Sequence, residues 1–150
     1  MYVLPPSIVA DILMIMTRAE VLPFLQQHRV GVQSTVSPTG ELQAAVVGIA
    51  VTPEFEIIFD TVDTTRKCRN LRADPKIAFV IGWEQITVQL QGIADEPTGA
   101  ERDRILAAYF IPYPDGRDRL KWPGITHFRV RPTWIRYSDF NVPQQIIEFK

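Results

Sequence analysis

The stretch Asp60-Thr-Val-Asp-Thr-Thr-Arg-Lys-Cys-Arg-Asn-Leu-Arg72, with the Asp74-Pro75 pair and the apolar run behind it, decides the fold. It lacks the alternation of a strand and opens with residues that cap helices, so it predicts a helix over residues 63–72. Asp74-Pro75 ends that helix, because the residue before a proline avoids the helical conformation. The apolar run over residues 76–82 then predicts a strand.

Hydroxyl and cationic side chains are concentrated in this stretch. They are Thr61, Thr64, Thr65, Arg66, Lys67, Arg69 and Arg72. A helix N-terminus offers unpaired N–H groups and a partial positive charge, so hydroxyls and cations there can form a phosphate site. The alternative is a capped basic helix that turns Cys68 and Leu71 to the core and its cations to water. Cations in the first turn oppose the helix macrodipole, and a bound anion removes that conflict, which slightly favours the phosphate site.

Outside this helix the sequence predicts mostly strands joined by short turns. The predicted strands are 30–36, 42–51, 55–59, 76–82, 86–90, 126–131 and 133–137. The run 42–51 is almost continuously apolar and predicts a strand buried on both faces. Pro132 predicts a hinge between the last two strands. Residues 112–124 are predicted to be a loop, and residues 141–150 fit either a strand or a loop.

Three further helices complete the predicted elements. A short helix capped by Ser7 carries the apolar residues Ile8, Ile12, Leu13 and Ile15. Thr17 and Glu20 form a capping box that opens a second helix, running to about His28. The third covers residues 97–109. About six or seven strands and three or four helices predict a mainly β protein, with an antiparallel sheet closed into a barrel and the helices outside it.

The composition is that of one globular domain, residues 1–150. Of the 150 residues 46% are hydrophobic and 22% charged, with a formal net charge of −1 and one cysteine. This balance gives no field that would attract nucleic acid or an anionic membrane, and we expect neither as a partner. The longest apolar run near the middle of the chain is far shorter than the roughly 20 residues of a membrane helix. The N-terminus is a poor signal peptide, so we expect a cytoplasmic protein.

Other site chemistry has little support in the sequence. The glycines form neither a G-x-G-x-x-G nor a Walker motif, which argues against those nucleotide folds. His28 and His127 lack a second ligand at metal-binding spacing, so no metal is expected. Cys68 has no histidine partner and is predicted to be a small core residue. Of the carboxylate pairs, Glu54/Glu56 is predicted on a strand's solvent side and Asp95/Glu96 in a loop.

The last third of the chain carries arginines and aromatic residues. Arg129 and Arg131 share one strand face, which is either a second anion patch or, as we expect, a solvated face. The aromatic residues are Tyr109, Phe110, Tyr113, Trp122 and Trp134. They either stack on a planar cofactor or anchor the core or a dimer interface, and the second role is commoner.

The order of the elements and the motif at the central helix resemble the pyridoxamine 5'-phosphate oxidase-like flavoproteins. The motif is Thr61-Val-Asp-Thr-Thr65-Arg66-Lys67, followed by Asn70-Leu71 and Asp74-Pro75, and the resemblance covers about residues 17–97. It implies an antiparallel split barrel that binds FMN, and a homodimer with the flavin at the subunit interface.

The resemblance also implies the positions of the cofactor contacts. Thr65, Arg66 and Lys67 would hold the FMN phosphate, and Asp60 and Thr61 would contact the flavin from the end of their strand. The backbone of the strand from Gln43 through Ala44, Ala45 and Val46 to Gly48 would lie along the ring. Thr87 stands about where the oxidases have a flavin-contacting glutamine.

Two features of the oxidases are absent from this sequence. Gln43 and Gly48 stand where the oxidases have an arginine and a lysine. Tyr109-Phe110 is followed by Ile-Pro-Tyr-Pro-Asp-Gly instead of the Arg-Pro-x-x-Ser substrate loop. We therefore expect an FMN-dependent oxidoreductase acting on an unidentified small molecule, with no residue assigned as a general acid or base. The alternatives are a flavin- or haem-binding module without turnover and a deazaflavin-dependent reductase.

Overall fold

A computed structural model describes residues 3–149, with the backbone alone for residues 12–17. The strands are β1 (Val30–Val36), β2 (Leu42–Gly48), β3 (Ala50–Val51), β4 (Ile57–Val62), β5 (Lys76–Ile81), β6 (Ile86–Asp95), β7 (Ile125–Asp139) and β8 (Gln145–Glu148). The helices are α1 (Pro6–Gln27), α2 (Arg66–Ala73), α3 (Gly99–Tyr109) and α4 (Gly116–Arg119). No described helix is long and apolar enough to cross a membrane.

The strands form one antiparallel sheet that curls into a split barrel. Its order is β2-β1-β5-β6-β7-β4-β3, and β8 pairs with β7 beside this path. The two strands at the ends of the path, β2 and β3, are separated in sequence only by Ile49. One residue thus joins opposite edges of the sheet, so the sheet must curve until the edges meet. This confirms the predicted antiparallel split barrel.

The N-terminal segment is one helix, so the prediction of two helices was wrong. α1 runs through Thr17 to Gln27. No glycine or proline interrupts the chain between Pro6 and Pro23, so nothing stops the first helix where the second was predicted to begin. Thr17 therefore does not begin a helix. The side chains of Ile12, Leu13, Ile15 and Thr17 lie outside the described residues.

The predicted strand over residues 42–51 is shorter and more exposed than expected. It divides at Ile49 into β2 and β3, and β2 is an edge strand with one face outside the barrel. On that outer face the side chains of Leu42 and Val46 are 85% and 64% exposed. A continuous apolar run does not distinguish a strand buried on both faces from one with an apolar outer face, and this caused the error.

Other element boundaries also differ from the prediction. β6 extends to Asp95 instead of ending at residue 90, and α2 begins at Arg66 instead of residue 63. The strand expected at residues 55–59 begins at Ile57, because Phe55 turns the chain with φ 66°. β7 continues through Pro132, where the pairing with β6 shifts register at Gln91/Gly92, so the two hinged strands are one. The predicted loop 112–124 contains the short helix α4. The C-terminal tail forms β8.

An ion-pair cluster lies between α3 and the sheet. Two of its residues were predicted to be exposed, and both predictions were wrong. Glu56 and Arg129, expected to face solvent, are only 7% and 8% exposed. Arg129 contacts carboxylate oxygens of Asp95 and Glu101, each at 2.6 Å, and of Glu56 at 3.4 Å. The burial of these charges is compensated by their mutual pairing, which the sequence spacing did not reveal.

Candidate functional site

The start of α2 is held by a pair of threonine hydroxyls. Thr65 caps the helix, and its Oγ1 accepts a hydrogen bond from the backbone N–H of Cys68 at 3.4 Å. The hydroxyl of Thr61, at the end of β4, lies 2.9 Å from that of Thr65. Cys68 and Leu71 are buried, as the amphipathic pattern predicts. The cap thus fixes the first turn of α2 against the barrel.

A cavity of about 230 Å³ lies between this first turn and the inner faces of β1 and β2. Its lining residues are Gln33, Thr35, Gln43, Ala44, Ala45, Arg66 and Lys67. Five of them, from Gln43 to Ala45 and from Arg66 to Lys67, are residues that the sequence analysis assigned to the cofactor. The structure therefore brings two separate predicted segments to one cavity.

Asn70 connects the helix to both strands of the cavity wall. Its buried Nδ2 donates to Thr35 Oγ1 at 3.0 Å and to Gln43 Oε1 at 2.9 Å. These bonds fix α2 relative to β1 and β2, and they orient the Gln43 side chain. Asn70 belongs to the quoted motif, but no role was assigned to it from the sequence.

Gln33 and Thr35 are cavity residues that sequence reasoning missed. They alternate with outward-facing residues on β1, and their side chains are only 2% and 3% exposed. Polar residues at inward positions of a strand are a signal of a polar interior, since an unpaired buried polar group is costly. The Gln33 Oε1 is such a group, with no hydrogen-bond partner among the described residues.

The charge at the cavity comes from two cations without a carboxylate partner. Arg72, at the far end of α2, pairs with Glu96 at 2.8 Å, and its hydrogen bond holds the pKa of Glu96 below the usual value. Arg66 and Lys67 make no ion pair within residues 3–149. The first turn of α2 contains no acidic residue. The helix N-terminus and both cations therefore act in the same direction, toward an anion.

The other five predicted contacts do not line this cavity. Thr61 and Thr65 form the cap of α2 described above, and three more point elsewhere. Asp60 faces the side of β4 opposite Thr61, where its carboxylate accepts from Arg119 Nε at 2.7 Å. Val46 points to the outer face of the sheet. Thr87 is on β6, and β5 lies between β6 and β1. The Thr87 side chain, like that of Val46, is on the outer face of the sheet. None of these three lines the cavity.

A second, larger concavity lies beyond the C-terminal end of α1. This groove has a volume of about 440 Å³ and is lined by Phe24, His28, Gly82, Trp83, Glu84, Gln85 and Ile86. His28 Nδ1 lies 2.7 Å from the carbonyl oxygen of Phe24, which makes Nδ1 the protonated nitrogen and leaves the lone pair on Nε2. The other histidine, His127, is 5% exposed, and burial lowers its pKa.

Cys68 is a poor nucleophile in this setting. Its side chain is fully buried, and burial raises the pKa of the thiol. A thiol with a raised pKa carries little thiolate at neutral pH.

Comparison with known proteins places this architecture in a sequence family. The sequence profile of the family described as pyridoxamine 5'-phosphate oxidase matches residues 17–139. No curated protein sequence matches the chain significantly.

Solved structures share the fold at low sequence identity. A haem-binding protein from Mycobacterium smegmatis has a TM-score of 0.75 and 19% identity, over 87% of this chain and 56% of that one. HutZ, the haem storage protein from Vibrio cholerae, has a TM-score of 0.68 and 14% identity, over 87% and 92%. General Stress Protein 26 from Bacillus anthracis has a TM-score of 0.70 and 14% identity, over 89% and 98%. This chain thus spans little more than half of the mycobacterial protein, and these similarities establish the fold alone.

Proposed function

Since the chain belongs to the pyridoxamine 5'-phosphate oxidase family, we propose that it is an FMN-binding oxidoreductase whose cofactor phosphate lies in the cavity at the start of α2. The observation that carries this proposal is the pair Arg66 and Lys67, which line the cavity without a carboxylate partner among the described residues. A helix N-terminus with two free cations beside it suits a phosphate monoester.

The residues at the cavity divide the task of holding FMN. Arg66 and Lys67 supply charge to the phosphate, and Thr65 adds a hydroxyl at the helix cap. The backbone of Gln43, Ala44 and Ala45 forms the wall along which the cofactor continues. When bound, the flavin supplies the redox chemistry, passing a hydride or electrons between a donor and a small-molecule substrate. The protein's part is to anchor, orient and cover it.

The size of the cavity supports a homodimer. Its volume of about 230 Å³ corresponds to about eight waters, which admits a phosphate and a short chain but no three-ring flavin as well. We therefore infer that the ring lies at the rim, along β2. A second copy of the chain there would cover the ring, as expected for a flavin at a subunit interface.

The outer face of the sheet carries an apolar stripe suited to that second copy. Val46, Val32 and Val80 lie in one row across β2, β1 and β5. The exposed side chain of Leu42 extends this apolar surface along β2. The inner face of β2 lines the cavity. Docking on this stripe therefore places the second copy beside the cavity rim. Thr87 is on the same outer face, so in such a dimer it is available to the flavin of the other copy.

Binding of FMN and of riboflavin tests the proposed phosphate site directly. Apo protein is titrated with each flavin, and flavin fluorescence reports binding. We expect FMN to bind at least tenfold more tightly than riboflavin, since only FMN carries the phosphate. Equal affinities would place the phosphate elsewhere. A competing titration with a deazaflavin cofactor distinguishes FMN binding from the alternative of a deazaflavin-dependent reductase.

Haem binding is a second candidate function, favoured by His28 in the groove beyond α1. A histidine that binds a metal usually donates its other ring N–H to a carbonyl or carboxylate, and His28 Nδ1 is so placed against Phe24. The groove also exposes the indole of Trp83, a flat apolar surface for a planar ligand. Two structures of the same fold, from Mycobacterium smegmatis and Vibrio cholerae, are named as haem-binding and haem storage proteins.

A haemin titration tests this second candidate. If His28 ligates the iron, His28→Ala shifts the Soret band of the complex, and added imidazole restores it. His127→Gln, at a buried position outside the groove, leaves the band unchanged. A wild-type protein that gives no Soret shift with haemin eliminates this candidate and leaves the flavin proposal intact.

A further inference from the structure

Gln33 is the one cavity side chain whose buried oxygen lacks a partner among the described residues. Gln33 is 2% exposed, and its Oε1 makes no hydrogen bond within residues 3–149. The adjacent polar groups Thr35 and Gln43 are both satisfied by Asn70. Leaving a buried amide oxygen unpaired destabilises a fold, so such a group in a cavity points to something that pairs with it when the cavity is filled.

The cavity has a charged end and a neutral polar end. Arg66 and Lys67 on α2 supply the positive charge, whereas Gln33 on β1 supplies an uncharged amide. An amide complements a group that both donates and accepts, and an alcohol O–H is the simplest such group. A ligand that fills both ends carries a phosphate and, a few bonds away, hydroxyl groups.

We propose that Gln33 is a specificity-determining residue that accepts a hydrogen bond from a hydroxyl of the ligand's phosphate-bearing chain. The ligand class is a phosphate monoester of a polyol, of which the ribityl phosphate of FMN is an example. This inference rests on the proposed function only for the location of the phosphate. The inference adds that the cavity contacts the hydroxylated chain next to the phosphate as well as the phosphate itself.

An ordered water could satisfy Gln33 instead, and the two explanations differ in one observable. If a water pairs with Gln33, replacing Gln33 does not change which ligand the cavity prefers. Direct contact makes the preference for a hydroxylated chain depend on the Gln33 amide.

Ribitol 5-phosphate and n-pentyl phosphate form a matched probe pair for the experiment. They share the phosphate and chain length and differ in the hydroxyls. By calorimetric titration we expect the wild type to prefer ribitol 5-phosphate by about tenfold, the value of roughly one hydrogen bond to a buried polar group. Gln33→Met, which keeps the length of the side chain and removes its polar atoms, should reduce the preference to within about twofold. Gln144→Leu, in an exposed loop, is the control and should keep it.

A second variant keeps the test decisive if Gln33→Met folds poorly. Gln33→Glu preserves the shape and places a carboxylate near the phosphate, so binding should weaken strongly near neutral pH and recover as the carboxyl is protonated. A Gln33→Met protein that retains the full wild-type preference overturns the inference, as does a wild type that binds both probes equally.

The probes also separate this inference from the proposed function. If the wild type binds ribitol 5-phosphate with the expected preference and does not bind FMN, the flavin function is wrong and the role of Gln33 stands. If it binds neither FMN nor ribitol 5-phosphate, both are wrong.

Discussion

The phenol of Tyr113 fills the space beside Gly48. A Cβ placed on Gly48 would lie 2.9 Å from the Tyr113 oxygen. Tyr113 also donates its hydroxyl to the carbonyl oxygen of Arg29, whose guanidinium lies 4.7 Å from the centre of the Tyr113 ring. The ring is therefore held in place, and a side chain at residue 48 would require Tyr113 to move.

This contact lies between the two segments in which the chain differs from the oxidases. Gly48 stands where they have a lysine, and Tyr113 belongs to the segment that replaces their substrate loop. The replaced segment thus occupies the space that the missing lysine side chain would need. The proposed flavin site is consequently less cationic than the resemblance implies, and its positive charge is concentrated at Arg66 and Lys67.

Lys67→Ala should weaken FMN binding without weakening the fold. A charge-assisted hydrogen bond to phosphate contributes about 1.5–3 kcal/mol, and Lys67 makes no ion pair within the described residues that its removal would break. The dissociation constant from fluorescence titration and the midpoint of urea unfolding measure the two effects. Arg69→Ala, an exposed cation on the same helix that does not line the cavity, is the control. An unchanged FMN dissociation constant in Lys67→Ala would show that the phosphate lies elsewhere.

Val46→Glu should convert a homodimer into monomers. Val46 is 64% exposed on edge strand β2, at the end of the valine row on the outer face, and a carboxylate there would be desolvated by the second copy. Sedimentation equilibrium gives the mass in solution. Ile111→Glu changes a side chain that is 81% exposed on a different surface, and it should leave the mass at that of a dimer. A wild type that sediments as a monomer contradicts the proposed dimer.

Gly82→Ala should destabilise the fold more than Gly40→Ala. Both glycines have positive φ, +73° and +93°, so each alanine costs about 1–2 kcal/mol of backbone strain. At Gly82 the new Cβ would also lie 2.6 Å from Phe24 Cζ and 2.8 Å from the carbonyl oxygen of Ile86, whereas nothing lies within 4 Å at Gly40. Overpacking adds about 1–3 kcal/mol at Gly82 alone. Equal losses in the free energy of unfolding would mean that Phe24 and the Ile86 carbonyl do not crowd residue 82.

The ion-pair cluster around Glu56 should lose its stabilising effect in acid. Burial opposes ionisation of Glu56, but hydrogen bonds from Arg104 and Thr52 and the charges of Arg104 and Arg129 outweigh it and lower its pKa. Because the pKa is lower in the folded protein than the value of about 4.3 in the unfolded chain, the stabilisation is present above about pH 4.3 and is lost as the pH falls through the folded value.

Glu56→Gln tests this pH dependence. The difference in the free energy of unfolding between wild type and Glu56→Gln should be largest near neutral pH and shrink as the pH falls below about 4. Urea unfolding at a series of pH values measures it. Glu54→Gln, on an exposed neighbour, should show little difference at any pH, because exposed ion pairs contribute little. A pH-independent difference for Glu56→Gln would mean that its ionisation is not linked to folding.

The local parts of this molecule could be predicted from the sequence, and the contacts between distant segments could not. The presence of a helix here and the burial of Cys68 follow from residues close together in the chain, although the helix begins at Arg66 and not at residue 63 as predicted. The bonds from Asn70 to Thr35 and Gln43 span 35 and 27 positions, and no local pattern encodes them.

Exposure was the property that the sequence predicted least well. Leu42 and Val46 are apolar yet lie on the outer surface, and Arg129 is charged yet buried. In each case the deciding factor is what faces the residue from another part of the fold. For Arg129 these are three carboxylates from other elements, and for the valine row we infer a second copy of the chain.

The most direct test of FMN binding is the visible absorption spectrum of the purified protein after incubation with FMN and gel filtration. We expect a flavin spectrum that elutes with the wild-type protein, and a smaller share of retained flavin in Lys67→Ala. A colourless protein that does not retain FMN would contradict it, and the cavity at the start of α2 would then not be a flavin phosphate site.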